Sequence, residues 1–301
     1  MRYTKYAFTV PEEKIVRVIT DTDAKNEADD QFAIVHALLS PRIENVGFIA
    51  SHFGDRNGPD SMEKSYAEIG RVFDEMRFDP EGMIYKGAGR SISDENPAVS
   101  EGARLIVSEA MKDDPRRLFV TFLGPLTDLA AAYLNEPRIA GRLTAIWIGG
   151  GKYPLGGQEF NLSNDINAAN IVFGSGIDLW QVPKNVYEMM AVSLAELEVK
   201  VRPYGRIGAY LFDQLSAHAL EEIPRKSVFR TGETWVLGDN PAIGLILYEH
   251  RFLYDMIPAP RVNPDMTYAP GDPAQLIRVY NSIDSRLVLE DLFSKIQLLA
   301  R

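Results

Sequence analysis

Two kinds of apolar pattern alternate along the first two thirds of this chain. Short, mostly apolar stretches have the length of buried strands: Ile15 to Ile19, Val46 to Ala50, Met83 to Tyr85, Leu118 to Phe122, Leu143 to Ile148 and Leu179 to Val182. Between them the apolar residues fall at helical spacing, over Gln31 to Leu39, about Ser61 to Met76, Glu101 to Met111, Leu126 to Leu134 and Ile166 to Phe173. Strand and helix in regular alternation mark βαβ units, so the pattern predicts an α/β fold with a largely parallel sheet. Beyond residue 200 the pattern loosens. Residues 202 to 250 read as mainly helical, followed by a short strand at Gln275 to Val279 and a helix at Leu289 to Leu299. With no repeat, low-complexity stretch or Ser/Gly linker, the expectation is one domain over residues 1–301, with a helical region packed near the site.

The polar pattern is most unusual directly after the first strand. Asp21 to Asp30 holds four Asp and one Glu in ten residues. Like charges so close repel one another, and the cost grows with burial, so the run points to a cation. Its place is also informative, because ligands in open α/β sheets bind at the carboxyl ends of strands. The plainer explanation is a solvated turn in which Asp29 or Asp30 caps the next helix and meets its positive end. Capping accounts for one or two carboxylates, not five.

Composition narrows the picture further. At 301 residues, 46% hydrophobic and 25% charged, the chain is long enough to bury a large core. A formal charge of −10 argues against nucleic acid or an anionic membrane as partner, since both call for basic patches. Zero Cys removes disulfides, thiolate zinc sites and cysteine nucleophiles, and fits a reducing compartment. The stretch Met1 to Pro11 lacks a continuous apolar core like that of a signal peptide, so a cytoplasmic location is expected.

Three further segments are candidates to meet the acidic run. Gly124-Pro125-Leu126-Thr127-Asp128 opens a helix straight after a buried strand, which sets the carbonyls of Phe122 and Leu123 at a strand end. Glu159 and Asn161 follow the glycines 149–151 at alternate positions, hence on one side of an extended chain. Glycines there let the backbone approach a ligand. Asp239 precedes Asn240-Pro241, which reads as an N-cap followed by Pro at the first helical position and leaves Asp239 one residue outside the cap.

Together these segments resemble the nucleoside hydrolase family, the inosine-uridine type N-ribosyl hydrolases. Asp21-Thr22-Asp23 and Asp29-Asp30 match the ends of the family's Asp-x-Asp-Pro-Gly-x-Asp-Asp motif, and Lys86-Gly87-Ala88 resembles its Gly-Ala turn. Gly124 to Asp128 with Glu136-Pro137-Arg138-Ile139, then Ile146 to Gly151, then Glu159-Phe160-Asn161, follow in the family's order. The resemblance spans about residues 15 to 250 and implies a three-layer αβα fold. It implies calcium held by Asp23, Asp30, the carbonyl of Leu123 and Asp239, with Asp23 as general base toward water. It also implies ribose hydroxyls held by Asp29, Glu159 and Asn161, a nucleoside-like substrate, and a homo-oligomer, dimer or tetramer.

Two departures from the family matter. Ala24 to Ala28 is longer than the family's Pro-Gly-x, which brings Asn26 or Glu27 toward the pocket. Gly238 stands where the family often has a His near the leaving base, so protonation by that route is absent. His52, at the end of the second strand, is the His to consider as a replacement acid, against a structural role. Trp235 is a candidate to stack on a base, against a core position. The alternatives are a non-catalytic sugar- or metal-binding module of the same fold, and, on Asp21-x-Asp23 with Gly238-Asp239, a phosphatase of the haloacid dehalogenase type.

Overall fold

The sheet is built from strands at both ends of the chain. In chain order they are β1 (Val16–Thr22), β2 (Ile43–Ala50), β3 (Ile84–Lys86), β4 (Leu118–Phe122), β5 (Thr144–Ile148), β6 (Asp178–Val182), β7 (Ala191–Ser193), β8 (Thr234–Val236), β9 (Tyr254–Pro258), β10 (Arg261–Val262), β11 (Tyr268–Ala269) and β12 (Leu276–Tyr280). Eight of them form one sheet of order β3-β2-β1-β4-β5-β6-β12-β9, parallel except for the edge strand β9. The computed structural model describes residues 1–54, 58–93, 98–222, 231–248 and 253–301.

The helices are α1 (Asp30–Leu38), α2 (Ser61–Met76), α3 (Glu101–Ala110), α4 (Thr127–Asn135), α5 (Phe160–Asn164), α6 (Ile166–Phe173), α7 (Lys184–Tyr187), α8 (Leu194–Lys200), α9 (Gly205–Glu222), α10 (Asn240–Leu247) and α11 (Ser285–Leu299). Period-two alternation splits the sheet's side chains between two apolar layers. Val18, Phe119 and Ile146 face the layer completed by α1, α2, α9, α10 and α11, while Ile19, Val120 and Trp147 face α3, α4 and α6. The result is the three-layer αβα arrangement. No helix among the described residues is long and apolar enough to cross a membrane.

Where described, residues 202 to 250 are mainly helical, in α9 and α10, but Thr234 to Val236 between these helices pair antiparallel with Ala191 to Ser193. The rest of that stretch at 223–230 and 249–250, including His250, lies outside the described residues. The segment at Glu159 to Asn161 is extended only at Glu159, which caps α5, so Asn161 lies in a helical turn.

The first strand continues past its apolar run. Thr20, Asp21 and Thr22 pair with Phe48, Ile49 and Ala50 of β2, so the acidic run begins inside the sheet. Asp23 is the first residue beyond it, next to the ends of β4 and β5.

Candidate active site

A pocket opens where β1, β4 and β5 end, and four of the five carboxylates in the acidic run line it: Asp23, Glu27, Asp29 and Asp30. Asp239, Glu159, Asn161 and Leu123 complete most of its wall. Asp21 is the exception. It points to the other face of the sheet, where burial, and next the charge of Asp128, push its carboxyl well above the usual range.

Local structure explains how the acids converge. A turn closed by Asn26 N–H donating to the Asp23 carbonyl at 2.8 Å folds the loop back. Asp29 and Asp239 then occupy the N-cap positions of α1 and α10, yet neither side chain accepts a capping hydrogen bond. For Asp239 this shifts the expected cap by one residue, with Asn240 opening the helix. Residues of a type that ordinarily caps have been left facing the pocket instead. Two helix N-termini meet there, and their partial positive charge favours carboxylates.

That help is small against the cost of burial. Asp23, Asp29, Asp30 and Asp239 are only 2%, 8%, 2% and 5% exposed. Burial is the main cause that drives all four carboxyls above the ordinary range, and mutual repulsion adds to it. Asp30 reaches about 7, because the hydroxyl of Thr22, donating to its Oδ1 at 2.5 Å, opposes the rise. Of these four acids Asp23 has a buried oxygen, Oδ2, without a hydrogen-bond partner among the described residues; both Asp21 oxygens, outside the pocket, lack one as well.

These observations fit a hard divalent cation. Asp29, Asp30 and Asp239 each offer an oxygen within 4.8 Å of the others, the span a Ca²⁺ ion bridges with ligands at about 2.3–2.6 Å. Among the described residues this carboxylate group includes Asp29 and not Asp23, the residue to which the resemblance gives a ligand role. The carbonyl of Leu123 lines the pocket but accepts from Asn161 Nδ2 at 2.7 Å.

Asn161 and Glu159 are more committed than their sequence spacing implied. Asn161 Nδ2 also donates to the Ile148 carbonyl at 2.8 Å, so both its donors are used and only Oδ1 is left to meet a ligand. Glu159 accepts four bonds, from the backbone N–H groups of Gly150, Asn161 and Leu162 and from the Tyr187 hydroxyl at 3.0 Å. A carboxylate has about four acceptor sites, so Glu159 ties β5, α5 and α7 together.

The glycine loop serves the same bracing. Gly150 has φ +81°, and a Cβ there would lie 2.3 Å from Gln181 Nε2 and 2.4 Å from the Tyr268 hydroxyl. The close approach expected of a ligand is made by the protein itself.

Asn26 and Glu27 do enter the pocket, as the longer loop predicts. His52 does not line it. Fully buried, it accepts from Gly54 N–H at Nδ1 (3.2 Å), which leaves Nε2 to donate to Thr127 Oγ1 at 2.9 Å, and Thr127 donates to Asp165 at 2.8 Å. Trp235 is 6% exposed, packs edge-on against His218 at 5.3 Å, and also lines a second cavity that adjoins the acidic pocket.

Tyr187 and Phe160 line both cavities, and the sequence reading missed them as site residues. Tyr187 lies five residues past the end of β6, and that strand-end position was its one available signal.

Residues 18–269 match the family described as inosine-uridine preferring nucleoside hydrolase. Uridine nucleosidase 1 of Arabidopsis thaliana is 25% identical over 205 residues, 59% of this chain and 59% of its own length. A pyrimidine-specific ribonucleoside hydrolase of Salmonella arizonae is 27% identical over 203 residues, 60% of this chain and 64% of the relative. The matched segment thus spans less than two thirds of these curated relatives. A purine-preferring ribonucleoside hydrolase from Gardnerella vaginalis superposes with a TM-score of 0.78 at 20% identity, covering 94% of this chain and 99% of that one. With the family matched over most of its length and the acidic pocket at the strand ends, the chain belongs to the inosine-uridine preferring nucleoside hydrolase family.

Proposed function

We propose that this protein is a calcium-dependent N-ribosyl hydrolase, cleaving the N-glycosidic bond of a ribonucleoside or related riboside to ribose and free base. The observation that carries the reading is Asp23 Oδ2, a buried carboxylate oxygen without a partner in a pocket whose other acids can hold a cation. Asp30, Asp239, Asp23 and the Leu123 carbonyl would hold the ion, with Asp29 close enough to share it. When bound, the ion supplies positive charge that offsets the carboxylates and lowers the pKa of nearby water. Asp29 and Asn161 Oδ1 accept from the ribose hydroxyls, and Glu159, through Tyr187, fixes the wall they lie against. Asp23 then takes a proton from the water that attacks C1′ as the C–N bond breaks, through an oxocarbenium-like transition state of the glycosidase kind.

The test is release of free ribose from a nucleoside panel with calcium supplied, in wild type and Asp23→Asn. An amide oxygen can still ligate but cannot accept a proton, so hydrolysis should fall about 10²- to 10⁴-fold. Ribose affinity should hardly move. A variant within a few-fold of wild type refutes the base assignment. Tight ribose binding without turnover in wild type would favour the non-catalytic module, a reading to which the glycine at position 238 lends weight. Family membership displaces the phosphatase alternative.

A further inference from the structure

The cavity beside the acidic pocket encloses about 350 Å³, and the two share Glu27, Asp29, Phe160, Tyr187 and Gly238 as their common wall. A riboside with its sugar in the acidic pocket therefore extends its aglycone past Gly238 into this second space. Its lining decides which leaving groups depart easily.

Among the described residues of that wall, no side chain is suited to protonate a departing base. Gly238 offers none, and its vacant side-chain position is taken by the ring of Tyr187, whose Cδ2 would lie 3.1 Å from an added Cβ. The Tyr187 hydroxyl already donates to Glu159, and burial, followed by the charge of Glu159, raises its pKa far above that of a free phenol. Charge points the same way. Among the described residues three carboxylates, Glu27, Asp29 and Glu188, line the cavity against one cation, Lys184, and a divalent ion offsets only part of the negative charge next door. An unprotonated nucleobase anion would form against that field. A ring that begins as a cation and leaves neutral meets no such penalty, and Phe160, Tyr187 and Trp235 offer aromatic faces and edges to a flat cation.

Resting on the hydrolase reading above, we propose that this site acts on ribosides whose aglycone is a pyridinium-type cation, with Glu27 and Trp235 as recognition residues for that ring. The electron pair of the breaking C1′–N bond goes to the ring nitrogen, turning pyridinium into neutral pyridine. Water oxygen bonds to C1′ and gives its proton to Asp23. The sum is riboside cation plus water to ribose, neutral pyridine and one proton, with no leaving-group acid required.

The experiment compares nicotinamide riboside, uridine, inosine and a nitrophenyl riboside in calcium, for wild type, Glu27→Gln and Lys184→Met. The expected result is a kcat/KM for the pyridinium riboside at least about 100-fold above uridine and inosine. Glu27→Gln should lower the ratio of pyridinium to nitrophenyl kcat/KM about tenfold, mainly through KM, because it removes one nearby negative charge. Uridine or inosine cleaved as well as the pyridinium riboside overturns the proposal, as does an unchanged ratio in Glu27→Gln. So does a selective loss of uridine hydrolysis in Lys184→Met, which would make Lys184 an acid for neutral bases. Nitrophenyl cleavage alongside any of these results leaves the hydrolase reading standing, whereas no cleavage of any riboside overturns both.

Discussion

Asp30 is the acid whose surroundings most resemble those of a metal ligand. It stands in the first turn of α1, buried, with one oxygen taken by Thr22 and the rest of the carboxylate facing Asp29 and Asp239. Thr22 orients the group as an outer hydrogen-bond partner commonly orients a ligand. Asp30→Ala should therefore abolish calcium binding in calorimetry, since it removes a ligand and frees the Thr22 hydroxyl, and it leaves the buried apolar layers intact. Unchanged affinity in a folded variant would exclude Asp30 from the ligand set. By the same residue-level reasoning His52 is a poor candidate for the acid, because both ring nitrogens are spoken for by Gly54 and Thr127 away from the pocket.

The elements that carry the site were legible to different degrees, for physical reasons. Strands β4 and β5, buried on both faces, read as mostly apolar stretches, and α2 and α6 begin and end where their spacing says. The end of β1 did not show, because its last residues are Thr20, Asp21 and Thr22, polar side chains that normally mark a loop. Strands β7, β8, β10 and β11 are two or three residues long and carry no period to detect. At the site, the acids announced themselves by number. Tyr187 and the fourfold commitment of Glu159 depend on contacts across 28 and fewer residues of chain that no local pattern encodes. The glycine loop between β5 and α5 is where that bracing is most exposed to change. Gly150→Ala would force a Cβ against Gln181 and Tyr268 at a positive φ, at a cost of about 1–3 kcal/mol. It should also loosen the N–H bond to Glu159 and lower kcat. Thermal denaturation should show the loss, with Gly141→Ala, whose Cβ meets nothing within 4 Å, as the control.

Across the whole molecule the buried acids tie stability to pH and to the cation. Asp23, Asp29, Asp30 and Asp239 have folded-state pKa values raised by burial and by one another, Asp30 to about 7, against about 3.9 in an unfolded chain. Between those values the folded protein binds more protons than the unfolded one, so stability falls as pH rises. The sign is the reverse of that for a salt-bridged carboxylate. The contribution is complete below about pH 4, and the part due to Asp30 is lost as pH climbs through about 7, where its carboxyl must ionise in place. Groups elsewhere oppose this at the acid end, for burial lowers the pKa of His36 to about 4. In chelator, the melting temperature should therefore decline from about pH 5 to pH 8. Calcium binds the ionised acids, so adding it should restore stability at pH 8 by RT ln(1 + [Ca²⁺]/Kd) and change little at pH 5, where protons already occupy the site. Asp30→Ala, which removes a ligand and one of the four buried acids, should abolish the calcium effect and make the decline with pH shallower. A melting temperature that rises with pH in chelator, or calcium stabilisation as large at pH 5 as at pH 8, would show that these carboxylates are not the groups that hold the ion.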